Sequence, residues 1–456
     1  MKLSSRIAPQ DLSAQIRRLF ELASDKTLRL ARGWDGKIEA PVVTVAGKYA
    51  GKNWTQWTQG FQYGNALLCF DVTGQESLLE VGRAGTVHHM AEHVTHTGVH
   101  DHGFNNQSTY GQLRRLMLEG RLDRDDWELR FYEQALKTSG AVQASRWTEL
   151  SNGFGYIYSF NGAHSLFIDT IRTLRIVAIA HALRHGLLTE QDRRVNLLGR
   201  LLTHARTSAQ FNIYYGEGRD FYDIPELRGR TAHEAIFNPA SGSFRCPSSQ
   251  QGYSPFSTWT RGLAWAMLGF AEELEFLRSR PEAEFAAEGL PAKRDALAML
   301  EMAARATCDF YMNQASAADG ICYWDTGAPG LSRLGDWKSR AADPMNAFEP
   351  VDSSSSAIAA QGLIRLGVIL GEAGEEYFRA GLQVAETLFA EPYLSIDPQH
   401  EGILLHSIYH RPNGWDYIPK GSCIPRGESS MWGDYHALEL GLLISRLAED
   451  RYYTFF

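Results

Sequence analysis

Two aspartates of this chain sit in settings that suit acid–base chemistry. Asp169 lies within the apolar run Leu166-Phe167-Ile168-Asp169-Thr170-Ile171. An apolar surround disfavours the charged form of a carboxyl, a bias that a general acid needs near neutral pH. Asp101 lies between His100 and His102, just before Gly103-Phe104, where hydrogen-bonding groups are plentiful. Two carboxyls in such different settings are candidates for paired acid–base work. The plainer role for each aspartate is to cap a helix start.

Other groups with chemical potential recur nearby. Trp57, Trp259, Trp265 and Trp432 could present flat faces to a sugar ring, although Trp265 also suits plain packing. Gln251-Gly252-Tyr253 and Arg261 add polar and cationic groups. His88, His89, His93, His96, His100 and His102 crowd one stretch. They lack an HExxH pair and closely spaced Cys ligands, so hydrogen-bonded histidines are expected and no metal or other cofactor is assigned. No phosphate-binding P-loop and no GxSxG nucleophile turn occurs.

These residues need elements to place them, and the elements are helical. Leu12, Ile16, Leu19 and Phe20 share one helical face, and strand-like alternation is scarce. Twelve helices are expected near 9–30, 57–70, 74–94, 105–119, 125–139, 165–185, 190–208, 256–279, 289–313, 354–370, 373–391 and 430–447. Links after the even helices are short and make antiparallel hairpins. Links before them are mostly long and rich in Gly, Pro, Asn and aromatic residues. Six such hairpins describe an all-α (α/α)6 toroid, read as one domain over 1–456, with the even helices inside. The chemical residues then cluster where even helices begin, at Trp57, His100–Phe104, Asp169, Gln251–Gly262, Asp352 with Ser353–Ser356, and Glu428–Tyr435. Those six starts should meet in one pocket. Helix N-termini favour an anion, and the aromatics favour a ring.

Composition narrows the partners. A net charge of −8 argues against nucleic acid. Only 21% of residues are charged, which argues against long disorder. Five scattered cysteines (Cys69, Cys246, Cys308, Cys322 and Cys423) suggest reduced thiols and a cytoplasmic setting. No run of about 18 apolar residues is evident, so no membrane partner is expected. Oligomeric state is not set by the sequence.

At the motifs named above the chain resembles glycoside hydrolase family 88, the unsaturated glucuronyl hydrolases. The resemblance runs from about Trp57 to Arg446. It is carried by His100-Asp101-His102-Gly103-Phe104, by Ile168-Asp169, and by Gln251-Gly252-Tyr253 through Ser257-Thr258-Trp259-Thr260-Arg261-Gly262-Leu263-Ala264-Trp265. Trp432-Gly433-Asp434-Tyr435 and the spacing of His233 add to it. The resemblance implies a metal-free hydrolase that removes a Δ4,5-unsaturated uronic acid from the non-reducing end of lyase-made oligosaccharides. It implies hydration of the vinyl ether, with Asp169 as general acid/base and Asp101 as the second carboxylate. His100, His233 and Gln251 would be polar substrate contacts, and Trp57, Trp259 and Trp265 aromatic walls. Arg261 is read as a partner for an anionic group. Gln250 stands where the family usually has His, Phe160 stands where it has Trp, and segment 422–430 carries an extra cation, Arg426. Two alternatives fit the same barrel: a glycosidase acting on saturated uronides, and a non-catalytic sugar-acid binding protein.

Overall fold

In the computed structural model, residues 1–3, 7–34, 38–53 and 56–456 are described. The frame is helical. We label its main helices α1 (Ser13–Trp34), α2 (Gln59–Thr73) and α3 (Glu76–His89). Helix α4 runs through His102–Asn106, a π turn Gln107–Gly111 and Gln112–Leu118. Next come α5 (Asp126–Ser145), α6 (Thr170–Thr173 with Arg175–Ala182) and α7 (Leu197–Asn212). The chain ends with α8 (Thr260–Ser279), α9 (Lys293–Phe310), α10 (Ser353–Leu370), α11 (Glu375–Leu388) and α12 (Met431–Ala448).

The even helices touch in a closed order: α2, α4, α6, α8, α10, α12 and back to α2. The odd helices pack outside, α3 on α2, α5 and α7 on α6, α9 on α8 and α11 on α10. Burial follows that division. Helix α1 buries Ile16, Leu19, Phe20 and Ala23 and leaves Arg17, Arg18 and Glu21 exposed, an amphipathic outer face. Helix α8 is buried from Thr260 to Leu277, on all sides, as an inner helix must be. Residues 353–388 are long and apolar enough to cross a membrane by length and composition, contrary to the sequence expectation. They form two helices, α10 and α11, packed on each other within the barrel.

The all-α expectation holds for this frame but misses small sheets. Ser165–Phe167 pairs antiparallel with Glu234–Asn238, which pairs with Ser243–Ser248. A helix was expected from 165, yet α6 begins only at Thr170. Short apolar runs do not distinguish strand from helix by periodicity, and here the partner strand decides. Likewise α7 starts at Leu197, capped by the Asn196 side chain, because 187–195 forms a two-stranded hairpin. Ala40–Val45 and Lys48–Lys52 form another hairpin, which lies against Ser429 and Ser430.

Inner helices meet backbone to backbone at glycines. A Cβ on Gly103 would lie 2.1 Å from the Thr173 carbonyl oxygen, so α4 touches α6 there. A Cβ on Gly60 would lie 2.3 Å from the Asn105 carbonyl oxygen, so α2 touches α4. Both contacts sit one turn from the residues that begin these helices. Gly103→Ala should therefore lower unfolding stability by about 1–3 kcal/mol, the cost of overpacking a tight core. Urea unfolding would show this as a lower midpoint, and an unchanged midpoint would contradict the contact.

Candidate active site

Neither key aspartate caps its helix. Asp101 precedes α4, and its carbonyl accepts the Phe104 N–H at 2.9 Å and the Asn105 N–H at 3.2 Å. Its side chain makes no cap bond. Asp169 precedes α6 in the same way, with its carbonyl accepting the Arg172 N–H at 3.0 Å and its side chain making no cap bond. Both carboxylates are thereby released toward a shared neighbour. His100 Nε2 lies 3.2 Å from Asp169 Oδ1 and 3.7 Å from Asp101 Oδ1. Burial raises the Asp101 pKa, although the facing His100 opposes the shift. Burial alone would lower the His100 pKa, but Asp101 and Asp169 outweigh it and hold it above its ordinary value.

The two aspartates line a cavity of about 610 Å³. Trp57, His100, Gln251, Trp259, Arg261 and Trp265 line it too, so the residues that the family resemblance implies for the site converge with one exception. That exception is His233. It is buried behind the wall, where its Nδ1 accepts the N–H groups of Gln250 at 3.0 Å and Gln251 at 3.3 Å. Its ring packs on Phe167 and Trp259. His233 thus holds the loop that carries Gln250 and Gln251.

Arg261 also departs from its expected role. Its Nη1 meets Asp352 at 3.2 Å and the Ile408 carbonyl, and its Nη2 donates to Gln251 Oε1 and the Tyr409 carbonyl, both at 2.7 Å. Four of its five N–H groups are thereby committed within the chain, so it ties loops together rather than standing ready for a ligand anion. Because Gln251 Oε1 accepts from Arg261, its amide N–H groups are left for the cavity. Asp352 caps α10 through the Ser354 and Ser355 N–H groups and is fully buried, so the serine run stays behind the wall. Trp432 is buried as well, stacked under Trp57 at 4.9 Å. Four of the six expected helix starts reach the cavity, and those of α10 and α12 do not.

The remaining lining was not foreseen. Tyr409, His410, Asn413 and Trp415 come from the long loop before α12, and Gln56, Val99 and Phe167 fill the other side beside the expected Phe104. The signal was present in Tyr409-His410-Arg411-Pro412-Asn413-Gly414-Trp415, a turn-rich aromatic stretch. The 422–430 segment, singled out for its cation, is not part of the lining. That segment lies elsewhere: Arg426 donates to the Met345 carbonyl at 2.7 Å, and Ser429 joins the 40–45 strand. Gln250 and Phe160, two of the family departures, both line the cavity. Phe160 is 57% exposed at its lip, nearly parallel to the His100 ring. The other histidines scatter into separate bonds, His93 to Gln59 at 2.6 Å and His102 to Ser139 at 2.8 Å. Among the described residues no group of three His, Cys, Asp or Glu is placed to hold a metal ion.

Similarity to curated hydrolases over most of its length marks the chain as a glycoside hydrolase. Its curated relatives include unsaturated glucuronyl hydrolases and an unsaturated chondroitin disaccharide hydrolase, so the resemblance to glycoside hydrolase family 88 seen in the motifs extends over most of the chain. No family model matches the sequence. The unsaturated glucuronyl hydrolase of Bacillus sp. (strain GL1) is 25% identical over 408 residues, covering 88% of this chain and 89% of the relative. The unsaturated chondroitin disaccharide hydrolase of Streptococcus pyogenes serotype M1 is 23% identical over 454 residues, covering 96% and 94%. The crystal structure of the Bacillus sp. GL1 enzyme superposes with a TM-score of 0.71 at 22% identity, covering 95% of this chain and 97% of that one.

The wall yields a pH test. Burial holds the His233 pKa down at about 4, below its ordinary 6.5. The unfolded chain therefore takes that proton first. The stability contributed by neutral His233 is complete above pH 6.5 and is lost as pH falls through 4. His233→Gln should flatten the dependence of unfolding free energy on pH in this window, by up to about 1.4 kcal/mol per pH unit. Denaturant titrations at several pH values would check it, and an unchanged slope would contradict the assignment.

Proposed function

We propose that this chain removes a Δ4,5-unsaturated uronic acid from the non-reducing end of lyase-made oligosaccharides, and that its ring of helices is one (α/α)6 catalytic domain. The observation that carries this reading is a pair of uncapped aspartates within 3.7 Å of one buried imidazole nitrogen, in an aromatic-walled cavity. The substrate is an enol ether, and its difficult step is protonation of carbon. Asp169, in its carboxylic acid form, gives a proton to C4. Positive charge then develops at C5 and the ring oxygen, and Asp101 steadies it as an anion. Water adds at C5 and returns a proton to Asp169. The hemiketal opens to a ketone at C5 and leaves a hemiacetal at C1, which expels the second sugar.

The surroundings support each part. Trp57, Trp259 and Trp265 supply flat apolar faces for the ring. The amides of Gln250, Gln251 and Asn413 offer neutral donors for the substrate carboxylate, and the N-termini of α4 and α6 add partial positive charge. With Arg261 committed elsewhere, recognition of the uronate rests on amides and helix ends rather than on a cation.

A panel of lyase-made disaccharides tests the proposal. Wild type should abolish the double-bond ultraviolet absorbance on at least one of them. Asp169→Asn should lower kcat by about 1,000-fold, in the range of lost general acid–base catalysis, with KM little changed. No absorbance loss across several uronides, with a folded protein, would overturn it. Release of sugar from a saturated uronide would favour a conventional glycosidase.

A further inference from the structure

His100 is the point at which the two carboxylates communicate. Its ring is buried, and Phe160 lies parallel to it while Phe167 meets it edge-on, which fixes the ring plane. Its Nδ1 has no hydrogen-bond partner among the described residues. The opposite nitrogen, Nε2, faces both Asp169 and Asp101. The nitrogen is at hydrogen-bond distance from Asp169, at 3.2 Å, and faces Asp101 at 3.7 Å, two carboxylates that precede different helices.

The other titratable and charged neighbours do not compete for this place. Arg146, at the end of α5, donates to the carbonyls of Thr97, Tyr158 and Ser159. His204 of α7 accepts the Ile157 N–H at 3.0 Å, and burial holds its pKa at about 3. His233 lies beyond Asp169, occupied by the Gln250 loop.

We infer that His100 is a positioning residue whose single Nε2–H moves between the two aspartates, donating to Asp169 when that group is ionised and to Asp101 when Asp169 carries its proton. The inference rests on the proposed hydration. As Asp169 gives its proton to C4, the carboxylate so formed gains the His100 hydrogen bond. As water adds at C5 and its proton returns to Asp169, the N–H turns back to Asp101. No proton leaves the imidazole, so it ends the cycle as it began. The donor favours the ionised form of whichever carboxylate it meets, which lowers the barrier to the carbon protonation.

His100→Leu removes the donor. It should lower kcat about 100-fold, the usual loss for one preorganised donor, with KM nearly unchanged. The acid limb of the kcat–pH profile should move upward, because Asp101 loses the imidazole that favoured its ionised form. His100→Gln, which places an amide N–H near the same position, should recover about tenfold of the lost rate. A His100→Leu profile with an unmoved acid limb would overturn the inference. Nitrogen-15 NMR of the His100 ring gives a readout independent of turnover. Asp101→Asn and Asp169→Asn should each lower the imidazole pKa by about one unit. An imidazole unmoved by both would overturn the inference whatever the activity. A shifted imidazole in a protein inactive on every unsaturated uronide would uphold the link and overturn the hydration reading alone.

Discussion

The close approach of α4 and α6 is the constraint on which the site depends. At Gly103 the two helices leave no room for a methyl group between them. Asp101 lies two residues before that glycine, and Asp169 four residues before Thr173 across the contact. Helices held at ordinary side-chain distance would separate their first residues by several ångströms more. The carboxylates could not then share one imidazole nitrogen. Backbone contact thus sets the geometry of the two carboxylates around His100.

The ring holds that contact under load from within. Beneath the cavity, Arg172 meets Glu272 at 2.9 Å and Glu439 at 3.0 Å, Arg175 meets Glu439 at 3.4 Å, and Arg365 meets Glu275 at 2.7 Å. These pairs join α6, α8, α10 and α12 across the barrel interior. Ion pairs this deeply buried are weak evidence of net stability, since desolvation offsets much of their attraction. Their directional value is greater. A slip of one inner helix would leave a buried charge without its partner, which is costly. The network therefore opposes changes of register among the helices that carry Asp169, Trp259 and Trp265. On the cavity side, Arg261 does similar work for loops by joining Asp352, Ile408, Tyr409 and Gln251.

The frame was largely readable from the chain, because an inner helix buried all round and an amphipathic outer helix leave periodic patterns that depend on local residues alone. The short strands were not, because Ser165–Phe167 is a strand only by virtue of Glu234–Asn238, 67 or more residues away in the chain. Asp101 and Asp169 could be placed at helix starts, but only the structure shows that neither caps its helix. His233 and Arg261 were recognised as residues that matter, yet their partners are backbone groups of distant loops, which no local spacing reveals. Tyr409, His410, Asn413 and Trp415 enter through a loop with no periodicity at all. Trp57, Trp259 and Trp265 line the cavity, whereas Trp432 lies one layer deeper.

The central claim is that Asp169 protonates carbon rather than a leaving-group oxygen. Turnover in heavy water of a disaccharide carrying a Δ4,5-unsaturated uronic acid tests this directly. At the earliest conversion, NMR of the released uronate should show a single deuteron delivered to one face of C4. Release of the sugar with the double bond intact and no deuteron at C4 would contradict the account.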